Sequence, residues 1–273
     1  MDNLHRELAP ISDAAWAQIE DEARRTLTRY LGARHVVDLH GPEGPGLSAI
    51  GTGHVRSAPA LAEGVHCTQR EVNPLVEFRV PFELTRAAID DVARGSNDSD
   101  WQPLKDAARL IALAEDRLVF HGHADVGVRG ILPGTTNPAI ALPEDVADYP
   151  AAVASAVSAL RLAGVNGPYA LVLGTQPFTK ANGGAEDGYP VLKHLEKLVD
   201  VPVIWSQALE GGAVVTTRGG DFDLWLGQDI SIGYLAHTAD RVTLYLQESL
   251  TFQMQTSEAV VSLDARAQGG DGA

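Results

Sequence analysis

The sequence has one cysteine and lacks any long hydrophobic run. Cys67 is the single cysteine in 273 residues, so a disulfide within the chain is excluded and a reducing compartment is expected. Nowhere do 18 apolar residues follow one another, and the opening MDNLHRELAP contains no apolar stretch that could serve as a signal peptide. We therefore expect a cytoplasmic protein with no membrane partner.

Positive charge is scarce. The chain has 21 Lys plus Arg against 36 Asp plus Glu, a formal net charge of -15. Proteins that bind phosphate backbones concentrate Lys and Arg on one face, and no run of that kind is present. The composition therefore argues against nucleic acid as the main partner.

The sequence also lacks the common catalytic and cofactor motifs. It contains no phosphate-binding P-loop, no G-x-S-x-G elbow and no H-E-x-x-H pair. His121, His123 and Asp125 come nearest to a metal cluster, but no second ligand pair follows to complete four ligands. We predict no catalytic residue, no metal site and no cofactor, and hence a protein that is not an enzyme.

Helices and strands are segregated along the chain rather than in regular βαβ alternation, which predicts the α+β class. Ser12 to Leu31 reads as a helix with Ser12 or Asp13 as N-cap. A second, longer helix has Pro103 in its first turn. After about residue 200 short strands follow one another. The last ten residues are predicted to be a flexible tail.

Glycine and proline mark three segments. Residues 41–73 have no core-facing pattern and predict a long loop or a β-hairpin that reaches a neighbouring subunit. The stretch RGGDFDLWLGQDISIGY, residues 218–234, predicts two strands joined by a tight Gly-Gln-Asp corner. NGGAEDGYP, residues 182–190, is either a flexible surface turn or a loop that lines an opening between subunits.

Many segments in order resemble those of encapsulins, the self-assembling bacterial nanocompartment shell proteins, and the closest resemblance is to their actinobacterial, bacteriocin-like branch. The segments that carry the resemblance include LHRELAPISDAAWAQIEDEARRTL, PLVEFRVPFELTR, LAGVNGPYALVL, DGYPVLKHLEKLVD, TTRGGDFDLWLGQDISIGY and LYLQESLTFQ, and together they span about residues 4–260.

The resemblance implies the fold of tailed-phage major capsid proteins. It assigns residues 1–42, 75–135 and 215–265 to a discontinuous peripheral domain, 43–74 to an extended loop, 136–214 to an axial domain, and 266–273 to the flexible tail. It also implies a homo-oligomeric icosahedral shell of roughly sixty copies or a larger multiple.

The resemblance further implies an inner-surface site for a short C-terminal peptide of a cargo enzyme. Carried over by position, the site residues are Leu27, Tyr30, Leu31, Arg34, Asp38, Asp229 and Ile230. The alternative is that Leu27 and Leu31 are ordinary core residues of an amphipathic helix. The same template places the loop Asn182, Gly183, Gly184, Ala185, Glu186, Asp187 and Gly188 at a five-fold pore that admits small molecules or ions.

The implied cargo is a dye-decolorising peroxidase or a ferritin-like protein of iron storage or oxidative stress. Two other functions stay open at this point. A phage capsid protein would carry nucleic acid, and a secreted bacteriocin or protease would need a signal peptide and a catalytic constellation, neither of which the sequence shows.

Overall fold

The secondary structure comes from a computed structural model that describes residues 3–186 and 188–265. In those ranges the α-helices are α1 (Asp13–Tyr30), α2 (Arg86–Ala93), α3 (Gln102–His121), α4 (Ile131–Gly134), α5 (Tyr149–Leu162), α6 (Thr175–Gly183) and α7 (Val191–Leu198). The strands are β1 (Asp38–His40), β2 (Ala49–Ala58), β3 (Cys67–Pro74), β4 (Val76–Thr85), β5 (Gly122–His123), β6 (Val128–Arg129), β7 (Ile140–Leu142), β8 (Tyr169–Leu173), β9 (Ala185–Glu186), β10 (Tyr189–Pro190), β11 (Ile204–Trp205), β12 (Gly212–Thr216), β13 (Phe222–His237), β14 (Arg241–Met254) and β15 (Val260–Ala265).

A four-stranded sheet has the order β1-β13-β14-β4. Its two long strands, β13 and β14, pair antiparallel from Phe222↔Met254 to His237↔Val242. On the other side of β13, the short β1 pairs in parallel with Asp223 to Trp225 only. Most of that edge of β13 therefore has no strand beside it in the described ranges.

Helices α1, α2 and α3 cover one face of this sheet. Ser12 caps α1 by accepting a hydrogen bond from the Ala15 N–H at 3.3 Å, as the sequence predicted. Ile19 of α1, Ile111 of α3 and Leu244 of β14 are buried in one apolar cluster. The amphipathic stripes of the two long helices thus face the sheet.

A five-stranded sheet has the order β11-β8-β12-β15-β7. α5 and α7 pack on it through Val153, Leu160 and Leu195. The resemblance assigns residues 215–265 to the peripheral domain, but Val260–Ala265 pairs with β12 and β7 in this second sheet. Its run of buried apolar residues fills the sheet interior between β12 and β7.

The glycine- and proline-containing segment at residues 41–73 contains an antiparallel hairpin of β2 and β3. Its pairs run from Ala49↔Pro74 to Ala58↔Cys67, with a register shift between Gly51 and Val55. Nearly all its side chains are exposed or half-buried. Of the two predicted alternatives, loop or hairpin, the structure has the hairpin.

The stretch 218–234 differs from its prediction. Phe222–His237 is one strand, and the expected Gly-Gln-Asp corner is a bulged region with register shifts at Leu226/Gln228 and Gln228/Ser231. A bulge bends a strand without reversing it. Glycine is needed at the bend because a Cβ on Gly227 would lie 2.6 Å from Ser249 Oγ.

None of the helices in the described residues combines the length and the apolar character that crossing a membrane needs.

Candidate functional site

A groove of about 640 Å³ lies between the C-terminal half of α1 and the bulged part of β13. α1 is fully buried against the sheet only near Ala15, Ile19 and Ala23. Beyond these residues the helix forms one wall of the groove and the strand forms the other. Beyond Ala23 the apolar stripe of the helix continues along the open groove. The apolar residues that line it are Leu4, Ala23, Leu27, Leu31, Ile230, Ile232 and Leu246.

Five of the seven residues predicted for peptide binding line this groove. Leu27 and Leu31 lie one helical turn apart on the α1 wall, and Asp229 and Ile230 lie on the β13 wall. Arg34 follows the end of the helix and completes the lining. The structure therefore brings together residues that are about 200 positions apart in the sequence.

Tyr30 and Asp38 do not line the groove. The Tyr30 ring lies 5.4 Å from the Trp205 ring, and the Arg109 guanidinium lies 5.1 Å from the Tyr30 ring centroid. Tyr30 is about 100° around the helix from Leu31, which turns it to a different side. Asp38 accepts a hydrogen bond from the Gly220 N–H at 2.5 Å, so it is used to hold the turn before β13.

Arg34 forms ion pairs with groups inside the protein more than it serves as an exposed contact for a peptide. Its Nη2 lies 2.6 Å from Glu115 Oε2 and 2.9 Å from Asp229 Oδ1, and its Nε lies 2.9 Å from Glu115 Oε1. Burial lowers the pKa of Arg34, but hydrogen bonds and charge from Glu115 and Asp229 outweigh burial and raise it. Arg34 therefore stays charged and ties the floor of the groove to α3.

A second buried glutamate, Glu248 of β14, faces the same guanidinium. Its Oε2 lies 3.8 Å from Arg34 Nη2, and neither carboxyl oxygen has a hydrogen-bond donor among the described residues. Burial, followed by the charge of Glu115, raises the pKa of Glu248 well above its usual range. A neutral, protonated Glu248 that donates to Glu115 removes the cost of two buried charges beside each other.

Asp116 forms a neighbouring polar cluster beneath the end of α1. Its carboxylate accepts hydrogen bonds from Gly32 N–H at 3.2 Å, Ala33 N–H at 2.8 Å and Ser206 Oγ at 2.5 Å. Burial raises the pKa of Asp116 to about 7, even though these three donors lower it. The cluster fixes the chain where it leaves α1 and turns toward Arg34.

The predicted pore loop is a short hairpin after α6. Asn182 and Gly183 end the helix, and Ala185–Glu186 pairs with Tyr189–Pro190 across the tip. Gly188 has a φ of +84°, which favours glycine. Asp187, also predicted for this loop, lies outside the described residues.

One contact anchors this hairpin to the following helix. Glu186 Oε2 lies 2.7 Å from His194 Nδ1 of α7. Gly184 allows close packing, because a Cβ there would lie 2.5 Å from Val146 Cγ1.

The histidine-rich turn after α3 takes part in tertiary contacts. His121 Nε2 lies 2.7 Å from the Ala208 carbonyl oxygen, and His123 pairs with Val128 in the short hairpin of β5 and β6. Across residues 3–186 and 188–265, no group of three or more His, Cys, Asp or Glu side chains is placed to hold a metal ion.

Sequence reasoning missed several groove residues. Glu115 lies on the apolar stripe of α3 and Glu248 in a run of strand residues, and a carboxylate in such a place signals a buried ion pair. That signal could have linked both residues to Arg34. Leu4, Ser231 and Leu246 reach the groove only through the tertiary fold.

Comparisons with known proteins agree on one family. Residues 1–251 match the family Linocin_M18, described as the encapsulating protein for peroxidase. The chain is 53% identical over 263 residues to a type 1 encapsulin shell protein of Rhodococcus erythropolis, covering 96% of this chain and 100% of that protein. It is 49% identical to the protein of the same name from Mycobacterium tuberculosis, covering 96% and 99% of the two chains.

Solved structures with a similar fold are particle and capsid proteins. A virus-like particle from Pyrococcus furiosus matches with a TM-score of 0.65 at 13% identity, over 91% of this chain and 98% of that chain. The capsid of myovirus phage XM1 matches with a TM-score of 0.54 at 10% identity, over 85% and 90% of the two chains. The likeness shows the capsid-protein fold, in agreement with the fold class predicted from the sequence.

Proposed function

The chain belongs to the family of encapsulin shell proteins, and we propose that its copies assemble into a closed icosahedral shell that encloses a cargo enzyme. The chain is a structural protein and not an enzyme, since its half-identical relatives are named as shell proteins. We propose that it acts through contacts between subunits and with a guest protein.

Exposed apolar side chains on the hairpin of β2 and β3 support assembly. Val55, Leu61, Val65 and Val72 are 59%, 92%, 50% and 53% exposed in the single chain. Exposed apolar residues concentrated on one extended element are typical of interaction surfaces. We propose that this hairpin lies on a neighbouring subunit in a shell of roughly sixty copies or a larger multiple.

We propose the division into domains that the resemblance implies, except at the boundary near residue 215 and for the last strand. The four-stranded sheet and its helices draw on residues 3–42, 75–135 and 222–254, which supports a peripheral domain. The five-stranded sheet draws on residues 136–216 together with Val260–Ala265, which supports an axial domain that includes residues 215–216 and this last strand. The hairpin at 43–74 is the extended loop. The proposed flexible tail, 266–273, lies outside the described residues.

The groove between α1 and β13 is the observation that carries the proposal of cargo binding. Apolar residues of α1 and β13 and several charged residues line it, it is about 640 Å³ in volume, and five of the residues predicted for a peptide site are among them. Such a groove fits the C-terminal peptide of a guest protein held in an extended form. The guest we propose is a dye-decolorising peroxidase or a ferritin-like protein, and any haem or iron belongs to the guest.

The hairpin at residues 182–188 is proposed to border a pore for small molecules or ions. Gly183 and Gly188 leave room, since no atom lies within 4 Å of a Cβ built on either, and Glu186 supplies negative charge near the tip. We propose the cytoplasm as the place of assembly, since the single cysteine suits a reducing compartment.

The test is expression of the chain alone, followed by size-exclusion chromatography and electron microscopy. Hollow, uniform particles are expected. A folded monomer or dimer would overturn the shell proposal, and nucleic acid inside the particles would favour a phage capsid instead. Shells isolated from the native source are then expected to contain a guest whose C-terminal tail is required for its retention.

A further inference from the structure

The chain contains two asparagine–glycine pairs, and the structure places them differently. Asn166–Gly167 lies in the segment before β8, and Asn182–Gly183 ends α6 at the start of the hairpin of β9 and β10. Both asparagines are exposed. An asparagine followed by glycine can lose its side-chain amide spontaneously, because glycine has no side chain to shield its backbone nitrogen. Since exposure does not separate the two pairs, the backbone around each one decides which reacts.

The reaction requires a change of backbone conformation. The glycine nitrogen loses its proton to hydroxide and attacks the asparagine Cγ, and the side-chain nitrogen leaves as ammonia. Water then opens the cyclic imide to aspartate or, when the original peptide bond is the one that breaks, to isoaspartate. To bring the nitrogen up to Cγ, the bond between the asparagine Cα and its carbonyl carbon must rotate, which moves the carbonyl oxygen. Contacts that hold this oxygen or crowd the glycine therefore slow the reaction.

Asn166 is held against this rotation. Its carbonyl oxygen accepts a hydrogen bond from Thr216 Oγ1 at 2.8 Å, and Thr216 is buried. Gly167 is closely packed, since a Cβ there would lie 3.0 Å from the Tyr169 ring and 3.1 Å from Asp200 Oδ2. Rotation at Asn166 would break this hydrogen bond and displace these neighbours before any new bond forms, which raises the barrier.

Asn182 has no comparable restraint. Among the described residues, no hydrogen bond reaches its carbonyl oxygen or its side chain, and no atom lies within 4 Å of a Cβ built on Gly183. Asn182 and Gly183 are the last two residues of α6, and the chain leaves the helix at Gly184 with a φ of -93° and a ψ of 159°. The last carbonyls of a helix have no partner within it, and helix ends open at little cost in free energy.

We propose that Asn182 is a site of spontaneous deamidation, whose product adds a carboxylate to the hairpin of β9 and β10. Aspartate and isoaspartate are ionised at neutral pH, whereas asparagine is neutral. The hairpin already carries Glu186, whose Oε2 lies 2.7 Å from His194 Nδ1. A negative charge in the last turn of α6 is also unfavourable for the helix, because the carbonyl end of a helix carries partial negative charge. Each modified copy thus has a more acidic hairpin and a weaker end of α6.

The consequence for transport rests on the proposed function. If the hairpins of several copies border one pore, each modified copy adds one negative charge to that opening. Acidic side chains around an opening favour cations over anions. Deamidation of Asn182 would then make the pore less permeable to anions.

The test of the reaction is mass spectrometry of purified shells kept for several weeks at mildly acidic and mildly alkaline pH. Trypsin releases Asn182 in the peptide 181–193, which has no other asparagine and no glutamine, so conversion of an amide to an acid there reports Asn182 alone. The peptide 162–180 contains Asn166 and Gln176, which fragmentation distinguishes. The control is the denatured chain under the same conditions, in which contacts no longer separate the two pairs.

In folded shells we expect Asn182 to be converted at least about tenfold faster than Asn166, because only Asn166 must first break a hydrogen bond and displace packed neighbours. Alkaline pH should speed the conversion, since the glycine nitrogen must lose its proton. In the denatured chain the two rates should be similar. Gly183→Ala keeps Asn182 but shields the attacking nitrogen, so it should slow the conversion. Equal rates for the two asparagines in folded shells, or an unchanged Asn182, would overturn the proposal.

A separate measurement tests the consequence for the pore. Asn182→Asp copies the charge of the product, and Asn182→Gln keeps a neutral amide. Both shells are loaded with a dye-labelled protein that carries the guest's tail, and iodide that enters the shell quenches the dye. We expect severalfold slower quenching in Asn182→Asp shells, because the added charges repel the anion. Equal quenching rates would overturn the consequence for the pore and leave the deamidation, which the peptide masses decide independently.

Discussion

The carboxyl group of Glu248 lies 3.8 Å from the guanidinium of Arg34. Both groups lie beneath the groove, and Glu115 and Asp229 reach the same guanidinium. One cation thus faces three carboxyl groups, two of them on fully buried residues. Burial and the charge of Glu115 raise the pKa of Glu248, so we expect Glu248 to be the one of the three that holds a proton. The two buried glutamates should therefore respond differently to the same substitution.

Glu248→Gln should leave shell stability unchanged or raise it. Glutamine keeps the shape of a protonated glutamate and can donate to Glu115, while it removes the possibility of a second buried charge. The matched variant is Glu115→Gln, which breaks the paired hydrogen bonds to Arg34 and should cost about 3 kcal/mol. Thermal unfolding of assembled shells at neutral pH measures both. Equal destabilisation by the two substitutions would contradict the assigned proton.

Asp116 should make stability depend on pH. Its folded-state pKa of about 7 is above the value of 3.8 for an unperturbed aspartate. The folded state therefore holds the proton more tightly than the unfolded state, and its advantage is complete below about pH 4. The free energy of unfolding therefore falls by up to about 4 kcal/mol as the pH rises from about 4 through about 7.

The measurement is the unfolding temperature of the shell across this pH range, for the wild type and two variants. Asp116→Asn should make the unfolding temperature less dependent on pH. It should also weaken the hydrogen bonds from the Gly32 and Ala33 N–H groups, because an amide has one acceptor oxygen where the carboxylate has two. Ser206→Ala removes a donor that lowers the pKa of Asp116, so the decline should extend to higher pH. A wild-type profile that is flat from pH 4 to 7 would refute the role of Asp116.

Gly32 is required by close packing and not by its backbone angle. Its φ is -68°, which any residue adopts, but a Cβ there would lie 2.9 Å from the Trp205 carbonyl oxygen and 3.0 Å from Asp116 Oδ2. Gly32→Ala should cost about 1–3 kcal/mol through overpacking. Gly46→Ala is the control, because no atom lies within 4 Å of the added Cβ. Chemical denaturation of the two variants should separate them, and similar losses would argue against the packing explanation.

The sequence predicted elements whose pattern is local. The Ser12 cap, helix α1 and the longer helix α3 with Pro103 in its first turn need only neighbouring residues, and the structure has all of them. The place of β15 could not be predicted in this way, because its buried apolar run fits the interior of either sheet. The bulge in β13 was misread as a corner, since both use the same Gly-Gln-Asp residues.

The candidate groove was partly predictable for a related reason. The family resemblance supplied all five residues that line it, Leu27, Leu31, Arg34, Asp229 and Ile230, whereas helical spacing alone favoured Leu27 and Leu31 as core residues. The pairing of Arg34 with Glu115 and Glu248 depends on contacts between residues far apart in the chain, which no local pattern shows.

Leu27→Asp should prevent cargo loading without preventing assembly. Leu27 is half-buried on the groove wall, so a carboxylate there would be placed in the apolar path of the bound peptide at a cost of a few kcal/mol. Ala17→Asp is the matched control, since it adds the same charge to an exposed position of the same helix outside the groove. Co-expression with a fluorescent protein that carries the guest's tail, followed by gradient purification, gives the loaded fraction per shell. We expect a loss of at least tenfold for Leu27→Asp and none for Ala17→Asp. Normal loading of Leu27→Asp shells would place the peptide elsewhere on the inner wall.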